Sequence, residues 1–194
     1  MCNRLQVIVL GLIVVVLSVF AVSVGSPVEA ATRSKTDIDR DAHRALAALL
    51  KQNAMARALS ERAKGVLVFP GIYKAGFIVG GQYGEGALIQ GGKSVGYYSS
   101  AAASYGLQAG GQKFGYAMFF MTDAALAYLG KSDGWEIGVG PSLVIVDKET
   151  AAAFGKTMTS STLQDDIYAF IVAQKGLMGG LGIQGSKITK IHPE

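Results

Sequence analysis

The sequence predicts an α+β fold, with amphipathic N-terminal helices followed by a glycine-rich, largely antiparallel sheet that is bent or closed into a small barrel, and one or two short helices. Two patterns lead to this prediction. Apolar residues recur at helical spacing after residue 36, and from residue 65 short apolar runs alternate with glycine. The 26 glycines have no three-residue period, which excludes collagen and favours bends and bulges in a sheet.

Two short helices are predicted before the sheet. Thr36, with an aspartate three residues later, begins the first helix, whose apolar stripe runs from Ile38 to Leu50. Asn53 interrupts the pattern, and a second helical segment covers residues 54–63. A later short helix, over residues 122–129, should end at Gly130.

The remaining segments are typical of strands joined by glycine turns. We expect strands at residues 66–69, 75–79, 86–90, 94–99, 104–110, 116–120, 135–139, 143–146, 168–173 and 177–183, with turns at 70–71, 80–81, 91–92 and 110–111.

Residues 1–30 have the pattern of a secretory signal peptide. An uncharged run over residues 5–27 follows a basic residue, and Val28-Glu29-Ala30 fits the small-x-small pattern before a cleavage site. We therefore expect an exported protein of the periplasm or envelope, with one domain over residues 31–194. The apolar run is also long enough to span a bilayer, so an uncleaved inner-membrane anchor is the alternative.

Composition limits the chemistry available to the protein. A single cysteine excludes a disulfide framework, and only two histidines leave the usual metal and acid–base clusters incomplete, so we expect no metal and no cofactor. The net charge of +4 favours an anionic surface as partner. No two lysines or arginines are adjacent, which argues against a nucleic-acid-binding protein.

Several strings occur in a characteristic order. AKGVLVFP at residues 63–70 is followed by KAGF at 74–77 and GGQYGEG at 80–86, and then by GLQAGGQ at 106–112, WEIGVG at 135–140 and a glycine-rich stretch over 168–185. Together they resemble the SYLF domain family, the Ysc-type actin-binding or lipid-binding domain, over about residues 37–191.

The resemblance implies a non-catalytic membrane-binding module. Eukaryotic members bind lipid through a basic amphipathic N-terminal helix, and fungal members also bind actin. An exported bacterial-type protein would not meet actin, so we expect anionic phospholipid to be the partner. The candidate lipid-binding residues are Lys64, Lys74, Arg40, Arg44, Lys51, Arg57 and Arg62. The candidate structural motif is Gly65, Pro70, Gly76, Gly81 and Gly84.

Two other functions remain open from the sequence. A secreted hydrolase would use Ser99 or Ser100 with His43, or the carboxylates of Asp165 and Asp166, but no recognisable catalytic motif surrounds them. A structural interaction protein of the envelope is the other alternative. Each basic candidate likewise has a second interpretation as an ordinary solvated side chain.

Overall fold

The structure is a computed structural model, and it describes residues 33–131, 133–146, 151, 163–176, 183 and 185–194. The predicted signal segment and most of the predicted strand at 177–183 lie outside the described residues. The elements are helices α1 (Lys35–Gln52), α2 (Ala54–Ser60) and α3 (Asp123–Ala127), a 3₁₀ turn (Tyr128–Gly130), and strands β1 (Gly65–Gln90), β2 (Lys93–Phe120), β3 (Trp135–Glu136), β4 (Leu143–Val146), β5 (Ile167–Gly176) and β6 (Lys187–Ile191). The predicted α+β class is confirmed.

Side-chain caps set the helix boundaries. Ser34, rather than the predicted Thr36, caps α1, because its Oγ accepts a hydrogen bond from the Asp37 amide at 3.2 Å. Asn53 ends α1 and also caps α2, through a 3.0 Å bond from the Ala56 amide to its Oδ1. Its predicted role as the break between the two helices is confirmed. Within the part of the chain that the structure describes, no helix is long and apolar enough to cross a bilayer.

Strands β1 and β2 form one very long antiparallel hairpin. Its register runs from Gly65 opposite Phe120 to Gln90 opposite Lys93. The two-residue turn at Gly91-Gly92, predicted from the sequence, is confirmed, and both residues have positive φ, 55° and 76°.

The predicted turns at residues 70–71, 80–81 and 110–111 are wrong, because these residues lie inside the two strands. The ladder continues through them, with Gly76 opposite Gly110 and Gly80 opposite Ser104. Register shifts at Phe69/Ile72 and at 77–79 and 88–89 bend the strands without ending them. Six predicted strands are therefore segments of one bent hairpin.

The hairpin folds back over itself. Tyr116 donates a 2.8 Å hydrogen bond to Ser100 Oγ, although the two residues are 16 positions apart in the same strand. The backbone at Gly86 also approaches Val68 so closely that a Cβ on Gly86 would lie 2.2 Å from the Val68 carbonyl oxygen. Only glycine permits this approach.

The other strands complete a curled sheet with the order β3-β6-β2-β5-β4, and β1 pairs with β2. The pairings are antiparallel except for β4 with β5, which confirms a largely antiparallel sheet. The predicted strand at 135–139 is shorter than expected. It ends at Glu136 because Gly138 and Gly140 adopt φ of 104° and 97°.

Two apolar cores lie on opposite faces of this sheet. The inner core fills the curl and contains Phe69, Tyr116 and Trp135. The outer core lies between the sheet and helices α1 and α2, and contains Ile38 and Phe119. The outer core fixes α1 on the sheet and thereby positions its charged residues.

Candidate functional site

Helix α1 has an apolar face on the sheet and a basic face toward solvent. Ile38 and Ala42 are fully buried, which confirms that the predicted stripe is amphipathic and packed. On the opposite face, Arg40 and Arg44 are 52% and 74% exposed, and Lys51 is exposed as well.

The second half of α1 and the whole of α2 have no acidic residue. Residues 42–60 include Arg44, Lys51 and Arg57 but neither Asp nor Glu. Arg57 Nη1 donates to the carbonyls of Leu50 and Lys51 at 2.8 and 3.2 Å, so its charge lies at the negative end of α1. We call Arg40, Arg44, Lys51 and Arg57 the basic helix face.

Two of the three acidic residues of α1, Asp37 and Asp41, are held by partners on the same segment of chain. Asp37 accepts a hydrogen bond from Ser34 and pairs with Arg40 at 2.6 Å, and these contacts, that with Ser34 first, lower the pKa of Asp37. Asp41 contacts Arg33 and Arg40, and lies 4.0 Å from Arg44. One carboxylate is thus shared by three guanidinium groups.

Polar contacts close one flank of α1 against the sheet. Tyr97 donates to both carboxylate oxygens of Asp39 at 2.9 Å, and His43 Nε2 lies 3.2 Å from Ser94 Oγ. Burial, followed by the bond to Asp39, raises the pKa of Tyr97 to about 12. We call these contacts the polar clasp.

A groove of about 460 Å³ opens along the other flank of α1. Its lining consists of Arg33, Asp41, Arg44, Ala45, Ala48, Pro70, Gly71, Tyr73, Lys113 and Val172. On the sheet wall, Tyr73 is 61% exposed, and the Lys113 Nζ lies 4.8 Å from the centre of its ring. Gly71 makes room for this lysine, since a Cβ there would be 2.9 Å from Lys113 Cε.

The structure does not bring the predicted strand lysines together. Lys64 pairs with Asp123 at 3.3 Å at the start of β1, ten positions before Lys74. Lys74 lies opposite Gln112 in the ladder and therefore shares the face of that buried residue. Arg62 is exposed just after α2.

The predicted motif positions differ in how closely they are packed. A Cβ on Gly65 would lie 3.1 Å from Leu88, and one on Gly84 would lie 2.5 Å from the Gly71 carbonyl oxygen. Gly81 would meet only an ordinary contact at 3.7 Å. Of the other two positions, Pro70 lies at the register shift between Phe69 and Ile72, and Gly76 lies opposite Gly110.

Sequence reasoning missed three groove residues, Arg33, Tyr73 and Lys113. Tyr73 and Lys113 are direct partners in the ladder of β1 and β2, although 40 positions separate them in the chain. The register of the hairpin was the signal that could have brought these two residues together, and the predicted turns divided that hairpin into separate strands.

The residues suggested for a hydrolase do not meet. His43 lies beside Ser94, while Ser100 is fully buried and accepts its hydrogen bond from Tyr116. The Asp166 carboxylate accepts bonds from Ser142, whose amide is the main cause of its lowered pKa. Among the residues that the structure describes, no three His, Cys, Asp or Glu side chains are grouped to hold a metal ion.

The described residues form a curled α+β domain with a basic helix face and a groove, the features of a binding module. A family model described as Ysc84, Las17-binding protein actin regulator, matches residues 101–193. This match confirms the predicted SYLF resemblance over that part of the chain, and the family is one of actin- and lipid-binding domains. No curated protein shows a significant match to the chain.

Proposed function

We propose that the protein is a non-catalytic module of the cell envelope that binds anionic phospholipid head groups through basic residues and its amphipathic N-terminal helix. The observation that carries this proposal is the basic helix face, which continues without an acidic residue from residue 42 to residue 60. Each lysine or arginine near an anionic bilayer contributes about 1 kcal/mol of attraction. A few such residues on one face therefore suffice for reversible binding.

The docked position of α1 supports binding by charge. Ile38 and Ala42 are buried in the outer core, whereas Lys51 is exposed and the Arg44 side chain, 4.0 Å from Asp41, is 74% exposed, so both basic side chains can approach a surface. Tyr73 is exposed in the groove that Arg44 also lines, and it has the amphipathic ring that is typical of membrane interfaces. The predicted export favours a membrane over actin as the partner.

Sedimentation with vesicles tests the proposal. We expect the exported protein to bind vesicles that contain phosphatidylglycerol, to bind pure phosphatidylcholine weakly, and to be released as salt is added, since salt screens exposed charges. Failure to bind either vesicle would refute the proposed function. Equal binding to both at low and high salt would remove its electrostatic basis.

Charge reversal locates the binding surface. Changing Arg44 and Lys51 to Glu should weaken binding about tenfold or more, at about 1 kcal/mol for each lost basic residue. The matched control reverses Lys131 and Lys187, two exposed lysines beside the 3₁₀ turn and on β6. It changes the net charge equally and should retain most of the binding.

A third variant tests the strand lysines predicted from the sequence. If the change of Lys64 and Lys74 to Glu abolishes binding while the α1 variant binds normally, the membrane surface lies at these strand positions. If only the α1 variant fails, the strand lysines are solvated side chains.

The envelope location has its own test. Mass spectrometry of the protein from its native envelope should find an N-terminus near Ala31. Recovery of intact residues 1–30 in the membrane fraction would instead indicate an anchored protein.

A further inference from the structure

Basic side chains lie on both walls of the groove and outnumber the carboxylates of its lining three to one; Arg33 and Arg44 both contact Asp41. Arg33 and Arg44 line the wall next to α1, and Lys113 lines the wall formed by the sheet. Asp41 is the only carboxylate in the lining of this groove, and it is already shared with Arg40. Among the described ion pairs, none includes Lys113.

This arrangement favours a bound anion. Like charges on facing walls repel each other, and their repulsion works against docking of α1 on the sheet. A phosphate-type oxyanion has several acceptor oxygens, so it can receive hydrogen bonds from guanidinium and ammonium groups at the same time. A volume of about 460 Å³ is sufficient for such an oxyanion together with a small organic group bonded to it.

The two flanks of α1 are held differently. The polar clasp joins Asp39 and His43 of α1 directly to β2, at Tyr97 and Ser94. On the groove side, the Arg33 side chain bonds within its own segment, to Asp41 and to the Asp37 carbonyl, and the Arg33 backbone amide donates a 3.4 Å hydrogen bond to Glu85 Oε2 on β1. Among the described bonds, no side chain of α1 reaches Lys113 across the groove, and an anion would supply that connection.

We propose that a phosphate-type oxyanion binds in this groove and, by bridging Arg44 on α1 and Lys113 on β2, holds α1 on the sheet. The anion is either free phosphate or the phosphate of a lipid head group. The inference goes beyond the proposed function, because it assigns a site between the helix and the sheet whose occupancy controls docking of the helix.

Hydrogen–deuterium exchange of the α1 amides in the exported protein tests this inference. Inorganic phosphate is compared with chloride at equal ionic strength, so that general screening is the same. At phosphate ten times its dissociation constant, exchange of the α1 amides should slow about tenfold, because the anion binds only the docked state. Vesicles of phosphatidylglycerol form the second arm.

Two variants isolate the site. Lys113→Gln removes the sheet-side charge without changing α1, and Gly71→Ala displaces the Lys113 side chain without changing any charge. Both should lose the slowing. Lys93→Gln, an exposed change at the hairpin turn, should keep it.

The outcomes separate this inference from the proposed function. Slowing by phosphate or by vesicles that is lost in both groove variants supports the site, and the effective arm identifies the source of the anion. No slowing in either arm, or the same slowing in Lys113→Gln as in the unmodified protein, overturns it. Vesicle binding without any change in α1 exchange would retain the proposed function alone, and phosphate-dependent slowing without vesicle binding would retain the groove site alone.

Discussion

The close approach of the two halves of β1 predicts that two glycines of the same strand respond oppositely to alanine. At Gly86, a Cβ would lie 2.2 Å from the Val68 carbonyl oxygen and 2.8 Å from the Phe69 ring. An ordinary carbon–oxygen contact is about 3.3 Å, so the backbone would have to move by about 1 Å. Overpacking against rigid backbone should cost about 3 kcal/mol. At Gly81, the nearest atom is 3.7 Å away, and alanine should stabilise the fold by about 0.5 kcal/mol through the lower entropy of the unfolded chain.

Urea denaturation measures both effects. With an m value of about 2 kcal/mol per molar urea, Gly86→Ala should lower the midpoint by about 1.5 M, and Gly81→Ala should raise it by about 0.25 M. Circular dichroism at zero denaturant shows whether each variant folds. Equal midpoints for the two variants would refute the folded-over hairpin, because only that geometry distinguishes the two glycines.

Three further predictions concern individual side chains. The pKa of Tyr97 is raised from 10.0 to about 12, so the folded state holds the phenol proton more tightly than the unfolded state does. The resulting stabilisation of the fold should be complete below pH 10 and lost between pH 10 and 12. Phenolate absorbance with and without Tyr97→Phe measures this titration, and titration of Tyr97 near pH 10 would contradict the prediction. Asn53→Ala should cost about 1 kcal/mol in urea denaturation through loss of the α2 cap, whereas Asn53→Asp should cost little; equal losses would argue against the cap. Trp135 is 2% exposed and donates to the Val139 carbonyl at 2.9 Å, so Trp135→Ala should cost about 3–5 kcal/mol, and a loss below 1 kcal/mol would contradict its place in the inner core.

The helices were predictable because their signals are local. The spacing of apolar residues located the buried face of α1, and Asn53 broke the pattern where the chain changes from one helix to the next. The cap was misplaced by two positions. Ser34 and Thr36 are both good capping residues, and only the backbone geometry shows that the helix begins after Ser34.

The strand boundaries within the long hairpin were not predictable, because glycine pairs have the same appearance in a turn and in a bent strand. Gly91-Gly92 reverses the chain, while Gly80-Gly81 continues along the ladder opposite Ser104 and Ala103. What distinguishes the two pairs is the distant partner strand. That information lies in residues more than twenty positions away and has no local signature.

The same limitation explains why the groove was missed. In a regular strand, side chains alternate, so counting from the inward-facing Phe69 places Tyr73 inside and Lys74 outside. Phe69 and Ile72 nevertheless both lie in the inner core, three positions apart, because the register shifts between them. The extra residue at this bulge reverses the alternation, so that Tyr73 faces the groove beside Lys113, and Lys74 shares the face of Gln112. A single irregularity at Pro70-Gly71, which the sequence alone cannot distinguish from a turn, therefore decides which side chains meet α1.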